Sequence, residues 1–159
     1  MKQFFPAFPV AAAAFAAVVA SVCPAVMAPP VVAADFDRGA QAYAAGDFAA
    51  AAEQWRPLAE AGNMTAQFNL AVLHDNSESA LFDSAAAAAW YKRAAAQGFG
   101  AAQYNLALAY RLGRGVPREI SQTLYWLLVA SHAEDAEFRD LASEAAGKLG
   151  RLLTPEQRL

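Results

Sequence analysis

The chain has 159 residues, enough for one domain and a removable leader. Hydrophobic residues make up 57 % and charged residues 17 %, with a formal net charge of −3, so the clustered Lys and Arg that phosphate binding requires are absent and no nucleic acid partner is expected. Its one cysteine, Cys23, lies in the leader, which leaves the expected mature chain without a disulfide, a thiol nucleophile or a cysteine-based metal site.

Met1 to Ala34 reads as a secretory signal peptide. Lys2 supplies the positive start, Val10 to Val22 the apolar run, and Val32-Ala33-Ala34 the small residues before a cleavage point ahead of Asp35. The alternatives are a retained membrane anchor, which Pro24, Pro29 and Pro30 interrupt, and a lipoprotein on Cys23, which the bulky Val22 disfavours. The rest, 35–159, is expected to be a helical domain exported to a periplasm or secreted, without a membrane span in its mature form.

Along that domain the 3.6-residue period predicts seven helices and no strand. The first covers Asp35 to Ala45 and ends at Gly46-Asp47, where Asp47 is placed to cap the next. The second runs from Phe48 to Ala61 with Pro57 inside it, which predicts a bend or an early end. The third spans Met64 to His74, and a polar loop follows from Asp75 to Asp83. The fourth spans Ser84 to Gln97 and the fifth Gly100 to Leu112. After the turn Gly113-Arg114-Gly115-Val116-Pro117 come a sixth helix, Arg118 to Ser131, and a seventh, Asp135 to Leu149. Thr154-Pro155-Glu156-Gln157 has the composition of a further helix start.

The chain also repeats itself. Ala66-Gln67-Phe68-Asn69-Leu70-Ala71 returns as Ala102-Gln103-Tyr104-Asn105-Leu106-Ala107, 36 residues later. Gly62 and Gly98, and Trp90 and Trp126, keep the same step of 36. A fixed period of this size marks a helical array in which each unit buries its apolar face only against its neighbours.

The pattern A-x-x-W-Y-x-x-A-A-x-x-G, then A-Q-Y-N-L-A-x-x-Y, then G-x-G-V-P resembles the Sel-like repeat (SLR) family, a relative of the tetratricopeptide repeat (TPR). Ala87, Trp90, Tyr91, Ala94, Ala95, Gly98, Ala102 to Ala107, Tyr110, Gly113 and Gly115 to Pro117 carry it. The resemblance spans about residues 36 to 133, and its first unit, Gly39 to Trp55, is closer to an ordinary TPR. It implies an all-α fold: a short right-handed α/α superhelix of two to three helix-turn-helix repeats, closed from about residue 135 by a capping helix. Departures are Asn76 to Phe82 in place of the glycine turn, His74 in place of Tyr110, and Ala71 and Ala107 where the family usually has glycine. The regular cysteine pairs of the disulfide-stapled secreted members are missing, which weakens any transfer of their activities.

By the same resemblance the first helix of each unit lines a concave groove, where an asparagine can grip a peptide. Asn69 and Asn105 match that position, and helical spacing places Phe68, Val72, Tyr104, Leu108 and Arg111 beside them. The competing reading is that both asparagines bond neighbouring backbone. His74 reads as a packing residue and the three tryptophans as core. Ser131-His132 with Glu134 and Asp135 has triad residue types, but adjacent helical residues point apart. Glu134, Asp135, Glu137 and Asp140 read as a solvated face. The expectation is therefore a non-enzymatic adaptor of the bacterial cell envelope with a protein or peptide partner and no metal or cofactor. An envelope hydrolase or β-lactam-binding protein, and a structural oligomerisation module, are the alternatives.

Overall fold

The computed structural model describes residues 35–153. The expected leader and the helix start at Thr154 lie outside the described residues. Seven helices follow one another: α1 (Phe36–Ala44), α2 (Phe48–Glu60), α3 (Met64–Asp75), α4 (Ser84–Ala96), α5 (Gly100–Leu112), α6 (Ile120–Ala130) and α7 (Ala136–Leu152). Each packs against the next in the chain, and α5 also touches α7. No strand occurs among the described residues.

Short polar side chains start most of the helices. Asp35, Asp47, Asn63, Asp83 and Asp135 each accept from backbone N–H groups in the first turn that follows, satisfying donors the helix cannot. α2 does not end early at Pro57; it continues to Glu60, and the proline carbonyl still accepts from Ala61 N at 3.1 Å. α6 starts two residues later than the spacing predicts. Glu119 is extended and donates its N–H to Tyr110 O at 3.0 Å, so the chain turns into helix only after it. α7 runs through Gly147 and Gly150 to Leu152, because the good helix formers around them outweigh two glycines.

The core is three linked clusters rather than one. Trp55, Leu70 and Leu73 anchor the first among α1, α2 and α3. Tyr91, Leu106 and Tyr110 anchor the second among α3, α4 and α5, and Leu127, Ala142 and Ala146 the third among α5, α6 and α7. Trp90 packs against the first two clusters and Trp126 against the last two, so each tryptophan bolts neighbouring units together. Alanines 71 and 107 are fully buried where helix meets helix. This is the nearest-neighbour packing of a repeat array.

The period of 36 extends to the hydrogen bonds. Asp83 N donates to His74 O at 2.8 Å, and 36 residues on Glu119 N donates to Tyr110 O at 3.0 Å. Buried Gln67 donates through Nε2 to Ala59 O at 2.9 Å, and Gln103 to Ala95 O at 3.1 Å. These glutamines tie the first helix of each unit to the end of the preceding helix. They differ in one respect: Gln67 Oε1 accepts from Gln97 Nε2 at 2.7 Å, whereas Gln103 Oε1 is buried without a partner. Residue 133, which stands where Gln97 stands one repeat earlier, is an alanine too short to reach it.

The two loops between paired helices span eight residues (76–83) and seven (113–119), and they differ in construction. In the second, Gly113 and Gly115 adopt φ of +70° and +68°, and a Cβ on Gly115 would lie 1.8 Å from Ser84 O. Only glycine allows that loop to lie on the start of α4. In the first, from Asn76 to Asp83, side chains replace the glycines. Asn76 accepts from Glu78 N, buried Ser79 accepts from Leu81 N, and His74 Nδ1 lies 2.7 Å from Leu81 O. A carbonyl only accepts, so that histidine nitrogen carries the proton. His74 is therefore more than a packed substitute for tyrosine: it pins the loop.

Candidate protein-binding surface

Seven residues were expected to share one groove; the structure places six of them in two separate hollows, and Asn105 lines neither. Phe68, Asn69 and Val72 line the first, of about 220 Å³, with Ala40, Tyr43 and Trp55. Its walls are aromatic and rigid. Tyr43 lies 5.9 Å from Trp55 and 5.5 Å from Phe48, and Phe68 lies 5.0 Å from Phe99 and 5.9 Å from Tyr91. Trp55 is held from behind: its Nε1 donates to Phe36 O at 3.1 Å, and Gly39 is the residue that makes room, since a Cβ there would sit 2.3 Å from that nitrogen.

Tyr104, Leu108 and Arg111 line the second hollow, of about 470 Å³, between α5, α6 and α7. The capping helix contributes a wall here, and the Tyr104 ring packs at a tilt against Phe138 of that helix, with centroids 6.1 Å apart. The reason for the division is the register of α7. α3, α5 and α7 begin at Met64, Gly100 and Ala136, 36 residues apart, so α7 occupies the place of the next unit's first helix. It then covers on α5 what α3 leaves open on the other side.

Asn69 and Asn105 are both half-buried, and neither side-chain amide makes a hydrogen bond among the described residues. The competing reading, in which both bond neighbouring backbone, does not hold. Their adjacent glutamines do that work instead, a role the sequence motif contained but helical periodicity alone did not reveal.

Other polar groups have local structural duties. Asp75, at the end of α3, pairs with Arg114 at 3.5 Å and lies beside the Tyr91 hydroxyl. Burial, followed by the nearby Asp75 carboxylate, raises the Tyr91 phenol well above its ordinary range. Ser131 Oγ and His132 Nδ1 do approach, to 3.2 Å, because both lie in the turn beyond α6 rather than on a helix face. Both nevertheless direct their protons to Leu128 O, at 2.7 and 2.9 Å, so the imidazole is not oriented as a base for the hydroxyl. Asp135 caps α7 and Asp140 pairs with Arg139 at 3.3 Å. No group of three or more potential metal ligands gathers among the described residues.

Comparison with known proteins places this geometry. The Sel1 repeat family model matches residues 65–99 and 100–135, the α3–α4 and α5–α6 pairs with their connections. A protective antigen present in uropathogenic Escherichia coli strains, whose crystal structure displays an SLR fold, is 32 % identical with a TM-score of 0.65 over 75 % of this chain. The match spans only 26 % of that protein's length. A Sel1 repeat protein from Oxalobacter formigenes is 26 % identical with a TM-score of 0.57, over 69 % of this chain and 85 % of its own. No curated protein matches the chain. With two matched repeats, a 36-residue register in sequence and hydrogen bonding, and neighbours of SLR fold, the chain is a Sel1-like repeat protein.

Proposed function

We propose that this protein is an exported adaptor of the bacterial cell envelope, which binds a protein or peptide partner across the first helices of its repeats and carries out no chemistry of its own. The observation that supports this most directly is the state of Asn69. Its amide has no hydrogen-bond partner among the described residues, and it stands at the edge of a hollow walled by Tyr43, Trp55, Phe68 and Val72. An apolar side chain of a partner fills such a hollow, while the amide donates to and accepts from the adjacent peptide group. Asn105 offers the same amide one repeat further on. Sel1 repeats are characteristically protein-interaction scaffolds, which agrees with this reading.

Export rests on the leader sequence from Met1 to Ala34. No helix among the described residues is long and apolar enough to cross a membrane. The binding test is capture from envelope extract by the wild type and by an Asn69→Ala/Asn105→Ala variant of matched circular dichroism. Unchanged capture of every partner by the variant refutes the asparagine role. N-terminal sequencing of the exported protein is expected to begin near Asp35; a sequence starting at Met1 refutes cleavage.

A further inference from the structure

The second hollow differs in chemistry from the equivalent region one repeat earlier, and the 36-residue register makes the differences specific. In the inner unit, Asp75 closes the end of α3 against Arg114, and Tyr91 fills the floor beneath with its hydroxyl near the same carboxylate. In the outer unit the position of Asp75 is Arg111, that of Tyr91 is Leu127, and that of Arg114 is Gly150. The charge has changed sign, its partner has gone, and the aromatic floor has been shortened. A groove of about 470 Å³ is the result.

The unpaired cation does not stand alone. Arg118 donates through Nε to Arg111 O at 3.1 Å, which fixes a second guanidinium at the C-terminal end of α5. Neither arginine belongs to an ion pair among the described residues. The acidic groups nearby are engaged: Glu144 with Lys148, and Glu119 with the Ser121 hydroxyl at 2.9 Å. The remaining walls are helical stripes. Tyr104, Leu108 and Arg111 line one side at spacings of four and three, and Leu141, Ala145, Lys148 and Leu152 the other at four, three and four. Those stripes extend over roughly 10–16 Å, two to three turns of helix. Leu141 and Leu152 are 40 % and 81 % exposed, so an alkyl chain lying here stays half in water, whereas a helix presents both an apolar stripe and a wet face.

We propose that the groove between α5, α6 and α7 binds an acidic amphipathic helix of a protein partner, with its apolar stripe on Leu108, Leu127 and Leu141 and a carboxylate side chain held by Arg111 and Arg118. This rests on the reading of the first-helix face as a protein-binding surface, and it gives the second half of that face a partner chemistry. Two guanidiniums at one end and leucines along the floor also set the polarity of docking, because a carboxylate at the other end of the helix meets no unpaired cation among the described lining residues.

The test is fluorescence anisotropy of the full chain with labelled model peptides of about four turns. One has a leucine stripe with glutamates on the remaining face. The second carries lysine in place of each glutamate. The Glu/Leu peptide is expected to bind, more weakly as salt rises, and the Lys/Leu peptide to bind at least about tenfold more weakly, because loss of a charge-assisted pair is worth a decade or more. Arg111→Glu/Arg118→Glu, both at exposed positions, reverses that preference, and Leu141→Glu weakens the Glu/Leu peptide without touching either arginine. Equal binding of the two peptides, or undiminished binding of the Glu/Leu peptide by the charge-reversed variant, overturns the proposal. Binding to phosphatidylglycerol vesicles with no binding of either peptide overturns it in favour of a membrane surface. Asparagine-dependent capture is read in a different assay on different residues, so failure here and failure of the broader reading remain distinguishable.

Discussion

The two clamp glutamines provide an internal control, since they make the same bond and differ only in what faces their second polar atom. Methionine replaces glutamine with almost the same length and shape and no hydrogen bonding. Gln67→Met loses two bonds, to Ala59 O at 2.9 Å and from Gln97 at 2.7 Å. Neither partner is stranded, because Ala59 O still accepts from Gly62 N and Gln97 is exposed to water. At about 1 kcal/mol net for each bond, the loss is about 2 kcal/mol. Gln103→Met loses one bond of the same kind, but it also removes a buried oxygen with no partner, whose desolvation costs about 1–3 kcal/mol. Its stability should therefore stay level or rise by up to about 2 kcal/mol. The variants are thus expected to differ by about 2–4 kcal/mol. In urea, with a slope of about 1–3 kcal/mol per molar, that separates their midpoints by roughly 1 M or more. If the two midpoints fall together, within about 0.5 kcal/mol, Gln103 Oε1 is satisfied in solution and the reasoning from repeat register is wrong.

Three further outcomes follow from the same geometry. Gly115→Ala combines left-handed backbone strain of about 1–2 kcal/mol with a collision against Ser84 O, whereas Gly46→Ala, with φ of +78° and open space around it, carries the strain alone; equal loss of stability in thermal melts would falsify the docking of the second loop on α4. Burial and Asp75 raise the Tyr91 phenol above 10.0, so the folded state holds that proton more tightly than the unfolded chain does, and the resulting stability is complete below pH 10.0 and lost as the pH rises through the folded value. Urea midpoints between about pH 10 and 12 should accordingly fall more steeply for wild type than for Tyr91→Phe, and parallel slopes contradict the assignment. His74→Phe removes the bond to Leu81 O, with an expected loss of about 1 kcal/mol and faster protease cleavage between Asn76 and Asp83; an unchanged cleavage rate shows that the histidine does not pin the loop.

The fold was legible because it is written twice. Identical residues at a step of 36 announce a stack of helix pairs, and Asp, Asn and Gly at the junctions mark where helices start and turn. What periodicity could not distinguish was which polar residues serve the stack and which are left over. On a helical wheel Gln67 and Asn69 are both polar residues in an apolar segment. Only the packed structure shows that the glutamine reaches the preceding helix while the asparagine amide stays unbonded.

The candidate site was legible in its residues but not in its grouping. Phe68, Asn69 and Val72 have the same spacing as Tyr104, Asn105 and Leu108, so the sequence presents them as two steps of one ladder. α7 separates them. It begins in the register of a third first helix and lies along α5, which turns the second step into a half-open groove with a wall of its own, while the first step borrows Tyr43 and Trp55 from α1 and α2. The sequence by itself determined the array, its period and the number and order of its helices, since these depend on local propensity and on each unit meeting an identical neighbour. The separation into two hollows was decided only by the tertiary structure, because it arises where the repeat is interrupted: at Arg111 in place of Asp75, at Leu127 in place of Tyr91, and at a last helix with no further unit among the described residues to cover its outer face.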